Sequence, residues 1–481
     1  MGSSNHAPGL QTRQARFDLL DSRMLGRFLR WRSARIALQV PLFIVALLMI
    51  YDGFFGPQSA PENAATVLSW IHFRGLVVLA LLVAGNLFCM SCPFMLVRNW
   101  SRQFFQPHRS WPRLLRNKWL AIAIFGGFLF AYELFDLWKT PWWTAWIIVL
   151  YFLGCVAVDS VFRGASFCKY LCPVGQFNFL SSLVSPLEVK VRRMGICESC
   201  RTRECIQGSA EVRGCELWLF QRLKVGNMDC TFCLDCIHAC PHDNVGITTR
   251  IPGSELSLES FRSGIGQFFR RSDLAALVAV FSFGALLNAF SMISPVHTVE
   301  DGLSSLLDTS SEAVILGVIF TAGLVVEPLL LLFGTAWISR RWNRRKQPIL
   351  NIINRYVYVL VPVGFGMWTA HYAFHFLTGL WGLLPIVRRL TLSLGLMDPL
   401  SSGFFMRPLF PRLLAFPLEV GVIGLGAMGS LLVAYEIARN DVPDKWWPTF
   451  TSWALLSLLM AGMAIWLMSQ PMEMRGTMWM G

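Results

Sequence analysis

The chain has 481 residues, 54% of them hydrophobic and only 15% charged, with 19 Trp and 37 Phe. That is too apolar for a water-soluble globular protein of this length and places the chain in a bilayer. The formal charge of +13 would suit nucleic acid, but Lys and Arg cluster beside apolar stretches, as loops on the inner side of a membrane do, so nucleic acid is not an expected partner.

Residues 1-35 hold seven Arg, two Asp and no long apolar core, which reads as a basic cytoplasmic arm lying on anionic lipid and not as a cleavable signal peptide. A membrane span needs roughly 20 apolar residues to cross roughly 30 Å of hydrocarbon. Nine stretches approach that, at 36-51, 75-97, 119-137, 142-162, 273-294, 313-337, 356-386, 413-434 and 451-469. Spans one to four form a membrane domain over 36-187. A polar, cysteine-dense insert follows at 188-250, then a linker at 251-272, a second membrane domain at 273-470 and a Met-rich tail at 471-481. The expected fold is an all-α polytopic membrane protein of about nine transmembrane helices carrying an inserted two-cluster ferredoxin-like α+β domain.

Basic residues next to the spans set the orientation. Residues 98-118 and 339-346 are rich in Arg and Lys without acids, whereas 295-312 carry Glu300, Asp301, Asp308 and Glu312 without a basic residue. The first two face the cytoplasm and the third faces outward. A multi-pass protein of a bacterial inner membrane is expected, with the insert cytoplasmic and the C-terminus periplasmic. The loop 388-412, with four Arg, runs against this count. Span seven, interrupted by Pro362, Gly364, Gly366 and Pro385, is expected to kink or re-enter.

Eight of the 13 cysteines fall between Cys197 and Cys240. Cys230, Cys233, Cys236 and Cys240, followed by Pro241, form the bacterial CxxCxxCxxxCP run, in which three closely spaced thiolates reach three corners of one cubane and the fourth reaches the neighbouring cluster. Cys197, Cys200, Cys205 and Cys215 form a stretched version. With the fourth cysteines crossing over, Cys197, Cys200, Cys205 and Cys240 hold one [4Fe-4S] cluster and Cys215, Cys230, Cys233 and Cys236 the other. A structural zinc site also uses CxxC pairs, but two triplet-plus-one runs, the second closed by Cys240-Pro241, point to clusters first. Neighbours such as Ile196, Phe232, Leu234 and Ile237 would shield the clusters from water.

A weak repeat links Gly85-Asn-Leu-Phe-Cys89 and Cys92-Pro93 to Gly164-Ala-Ser-Phe-Cys168 and Cys172-Pro173. The segment Phe167 to Gly175 matches the CxxxCP motif that ends membrane helices, and the first copy is one residue shorter. In these motifs and the ferredoxin-type run, residues 70-250 resemble the membrane-bound polyferredoxins of the NapH and NosR type, and more distantly CcoG. The resemblance implies electron movement between membrane quinol, cytoplasmic clusters and a redox partner protein, or support for assembling a metal-containing enzyme.

Cys89, Cys92, Cys168 and Cys172 suit redox-active dithiols, a soft-metal site, an additional cluster, or mere packing. Met367, His371 and His375 lie on one face of span seven, where a haem ligand, a copper site, a proton and quinone pocket, or hydrogen bonding to neighbouring helices all fit. Glu327, in span six, suits proton movement coupled to quinone chemistry or a hydrogen bond to a partner, and Arg74 and His72 are expected to mark the membrane interface. Met460, Met463, Met468, Met472, Met474, Met478 and Met480 suit Cu(I) or a lipid anchor. Three functions follow: an electron-transfer subunit of an oxidoreductase system, a copper reduction and assembly factor, and a redox sensor.

Overall fold

The computed structural model describes residues 17-258, 261-393, 395 and 412-471. Among them are eight helices long and apolar enough to cross a membrane, which makes the chain a multi-pass membrane protein. In chain order the elements that matter are α1 (Ala34–Phe55), α2 (Ala64–Ala84), α3 (Leu87–Ser91), α4 (Pro93–Ser101), α5 (Trp119–Leu134), α6 (Pro141–Val161), α7 (Ser166–Tyr170) and α8 (Pro173–Ser181). Strands β1 (Leu187–Val191) and β2 (Val245–Thr249) follow, then α9 (Ser272–Phe290), α10 (Glu312–Trp342), α11 (Ile349–Thr378), α12 (Leu414–Asp441) and α13 (Pro443–Ser469). The third predicted span, α5, is an apolar helix too short to count with the eight.

Helices α9 and α11 are almost wholly covered by their neighbours, whereas α1, α6 and α12 expose most of their surface, as lipid-facing helices do. Small residues permit that depth. A side chain at Gly426 would meet the Pro362 carbonyl at 2.7 Å and Gly366 Cα at 3.2 Å, so α11 and α12 cross backbone to backbone. Trp368 and Trp453 are fully buried in this half, and the Trp368 indole donates to the Phe281 carbonyl at 2.9 Å.

Two predicted spans change. The second begins at Ala64, not at 75, and stops at Ala84, because Gly85 takes φ +70 and turns the chain. Cys89 and Cys92 therefore lie beyond the helix end. The added first turns include His72 and Arg74, which are buried and do not mark an interface. The His72 ring bonds the Val67 and Leu380 carbonyls, and the Arg74 guanidinium lies over the rings of Tyr132, Trp70 and Tyr372 at 4.3, 4.6 and 5.0 Å. Residues 67-73 form a π-helical segment, a local widening common at functional sites. The seventh span runs Ile349–Thr378, tightened to a 3-10 turn at Val357–Val359 just before Pro362, and Pro385 belongs to a separate helix, Leu383–Ser393.

Strands β1 and β2 pair antiparallel, Leu187 opposite Thr249 through Val191 opposite Val245, and so tie together the two ends of the cysteine-rich segment. The described part of the N-terminal arm packs on that segment. Asp18 bridges to Thr248 in β2, Arg30 pairs with Asp243 at 2.8 Å, and Arg32 with Glu211 at 3.0 Å. Arg35 completes the series with Glu216 at 2.9 Å.

Candidate metal centres

All thirteen cysteines are free thiols. The cysteine-rich segment brings eight of them into two sets. Burial and the nearby Cys197, Cys240 and Cys200 push the Cys205 thiol up to about 11, and burial with Cys200 and Cys240 raises Cys197. In the second set, burial is the main cause of the rise at Cys215, to about 11, with Cys230 adding to it. Cys236 is raised by burial, then by Cys215 and Cys230, and Cys233 also faces Cys215. Any metal that took these thiols as ligands would displace their protons.

The local backbone is shaped around the sulfurs. Phe232 and Leu234, either side of Cys233, take φ 54 and φ 63, a conformation costing about 1 kcal/mol or more at a residue with a Cβ and kept only where the surroundings impose it. Amide donors reach the sulfurs. The Asn244 N–H lies 3.3 Å from Cys240 Sγ, the Arg203 N–H lowers the Cys200 thiol, and amides of Leu219 and Leu217 act on Cys215. Donors of this kind stabilise cluster thiolates. Phe232, Leu234 and Ile237 are buried beside them, and Ile196 is half-buried. Among the described residues no three His, Cys, Asp or Glu converge on one ion. The donor set itself, eight cysteine thiols with backbone amides beside several of them, is of the kind that cluster ligands use.

A buried ion network docks this segment on the helix ends. Glu216, next to Cys215, accepts from Arg98 at 2.8 Å and Arg35 at 2.9 Å, and Arg98 also faces Asp159 at 3.4 Å. Burial would raise the Glu216 carboxyl, but the two guanidinium groups hold it well below the usual carboxylate range. Asp235, between Cys233 and Cys236, is pushed up to about 6 by burial and by Glu216. None of Arg35, Arg98, Glu216 and Asp235 was singled out by motif reasoning. Lone Arg residues near helix ends carry no signal of their partners.

The four membrane-end cysteines also converge. Cys89, Cys92, Cys168 and Cys172 line one cavity of about 50 Å³, together with Cys230 and Asn178. Burial raises the thiols of Cys89, to about 12, and of Cys92.

Met367, His371 and His375 are buried on α11. The His371 and His375 rings stand 4.8 Å apart, and no nitrogen of His371 has a protein partner. His375 borders a small cavity with Arg74, Trp70 and Tyr132. Met367 packs in the apolar core, and among the described residues no third ligating side chain joins the two histidines around one ion. Met460, Met463 and Met468 lie along α13, while Met472, Met474, Met478 and Met480 fall outside the described residues.

Fold and site together define a polytopic membrane protein with a cysteine-rich domain seated on its helix ends. A stretch of 86 residues is 29% identical to the protein named "Putative electron transport protein YccM" of Escherichia coli (strain K12), covering 18% of this chain and 22% of that protein. No family profile matches the chain, and no solved structure matches it.

Proposed function

We propose that this chain is a membrane-bound iron–sulfur electron-transfer protein, passing electrons between two cytoplasmic [4Fe-4S] clusters and a quinone or a redox partner protein at or across the membrane. The observation that supports the reading is that Cys197, Cys200 and Cys240 lie near enough to Cys205 to raise its thiol, and Cys215 and Cys230 near enough to Cys236 to raise that one. The partial likeness to a protein named for electron transport supports electron transfer in general. The narrower kinship to NapH- and NosR-type polyferredoxins rests on the cysteine runs.

Cys197, Cys200, Cys205 and Cys240 would hold one cluster, and Cys215, Cys230, Cys233 and Cys236 the other. Each cubane, when bound, exchanges one electron between its 2+ and 1+ cores, so the pair matches the two electrons that a hydroquinone gives up with two protons. The protein supplies dry surroundings, amide donors to sulfur, and the Arg35, Arg98 and Glu216 network that fixes the segment against the membrane helices. No residue set resembles a hydrolytic or group-transfer site.

The test is Cys233→Ala in the full chain. Electron flux from membrane quinol to an artificial acceptor should fall to background, while the protein still inserts and its spans keep their helical circular dichroism. Unchanged flux with iron lost from the variant would overturn the reading.

A further inference from the structure

We infer that Cys89, Cys92, Cys168 and Cys172 hold a third [4Fe-4S] cluster, placed between the cysteine-rich domain and the membrane helices as an electron relay. The inference rests on the reading of the other eight cysteines as cluster ligands.

The first ground is convergence. The two pairs are about eighty positions apart, and their spacings differ by one residue, yet all four side chains line the same cavity. Its volume of about 50 Å³ is several times the roughly 10–15 Å³ that one water needs. Four thiols lining one cavity suit a polynuclear core, whose thiolates attach to separate irons.

The second ground is the way each pair is built. Cys89 and Cys168 ride on the short helices α3 and α7, and Cys92 and Cys172 stand as the residues before α4 and α8, each followed by Pro at the first helical position. Proline is preorganised there and lacks an N–H that would go unpaired. The amides of the following turn are left to the sulfur. The Gly175 N–H donates to Cys172 Sγ at 3.2 Å, and amides of Phe94 and Met95 act on Cys92. Asn178 donates from its side chain to Cys89 Sγ at 3.1 Å. A Cβ at Gly175 would stand 2.7 Å from the Cys168 carbonyl oxygen, so glycine is what lets the backbone come this close. Thiols that merely fill space need none of these donors.

Charge is the third ground. Four thiolates around a 2+ core leave two negative charges in a buried site, which require cations nearby. Lys118 and Lys169 line the cavity with Asp229 between them, at 3.6 and 3.1 Å, two cations to one carboxylate and so one positive charge in excess, and Arg35 and Arg98 act on Cys92 from the side.

The position defines the role. Cys230, a ligand of the second ferredoxin-type set, lines the same cavity, and Asn86 donates to its carbonyl at 2.6 Å. On the membrane side, α8 carries Phe177, whose ring lies 5.6 Å from Trp368 and 6.3 Å from Tyr372 of α11. One electron leaving a reduced core of the second set (1+ to 2+) reduces the third core (2+ to 1+), with no bond made or broken and no proton moved. The terminal donor or acceptor is the quinone or redox protein of the proposed function.

The experiment is iron and acid-labile sulfide per chain on the anaerobically purified full-length protein, beside a variant with Cys89, Cys92, Cys168 and Cys172 all changed to Ser. The expected counts are about twelve irons in the parent and about eight in the variant, with four irons per cluster. Cys155→Ala, a buried thiol that does not line the cavity, should keep about twelve. A parent protein with about eight irons overturns the third cluster while leaving the two-cluster reading intact. Absence of iron overturns both. The parent count does not depend on whether the quadruple variant folds.

Discussion

Arg98 and Glu216, 118 positions apart in sequence, form an ion pair of 2.8 Å that is sealed from solvent. Arg98 belongs to α4, directly after the Cys92-Pro93 step, and Glu216 follows Cys215. The pair therefore joins the membrane-end cysteines to the ferredoxin-type set. Removing one member of a buried pair leaves the other charge uncompensated and costs about 3–5 kcal/mol. Arg98→Ala should lower the thermal midpoint of the detergent-purified protein and weaken iron retention. Arg98→Lys should fall between, because a point charge cannot reach Asp159 and Glu216 together. An unchanged midpoint in Arg98→Ala would remove this network from the account.

Gly85 and Gly127 should respond oppositely to alanine. Gly85 has φ +70, and an added Cβ would stand 2.8 Å from the Phe232 ring. Gly85→Ala should destabilise by more than about 1 kcal/mol, since it combines a disfavoured backbone with a clash. Gly127 is inside helix α5, with nothing within 4 Å of an added Cβ. Gly127→Ala should be neutral or stabilise by up to about 1 kcal/mol. Thermal denaturation of the two variants in one detergent makes the comparison.

The Arg74 cage gives a third test. Cation–π contacts in desolvated settings contribute about 2 kcal/mol, and three rings face this guanidinium. Arg74→Met should cost about 2 kcal/mol or more and Arg74→Lys less, read as thermal midpoints. Iron content should not change in either variant, because Arg74 touches no cysteine.

Sidedness follows from the basic loops. Alkaline phosphatase fused at Thr309, after the helix Pro295–Leu307 that carries Asp301, should be active, and fused near Arg344 it should be inactive. The reverse pattern would place the cysteine-rich domain outside, where reduced thiolates are hard to maintain.

Stripping iron with an oxidant and chelator should expose residues 194-240 to protease while the membrane helices stay folded, since cluster ligation ties short loops that carry little regular structure of their own. Limited proteolysis before and after reconstitution reads this directly.

The membrane half was legible because hydropathy over about twenty residues reports a property of each helix alone. The one large boundary error, at α2, arose where His72 and Arg74 interrupt the apolar pattern. Their polar atoms are satisfied by carbonyls and rings from α5, α11 and the Leu380 turn, which no local window contains. Cysteine spacing is a short-range pattern, so the two ferredoxin-type runs could be proposed from sequence. The joint cavity of the Cys89/Cys92 and Cys168/Cys172 pairs was hinted at only by the repeat, and the convergence of Arg35 and Arg98 on Glu216 left no sequence trace. Ion pairs between distant segments depend on the finished packing.

Low-temperature EPR of the anaerobically purified, dithionite-reduced protein, with iron, zinc, copper and haem quantified on the same sample, bears most directly on the central claim. The account predicts magnetically interacting [4Fe-4S] signals, with about eight irons attributable to the ferredoxin-type cysteines, and loss of one set of signals in Cys233→Ala. Stoichiometric zinc with no iron and no EPR signal would contradict it.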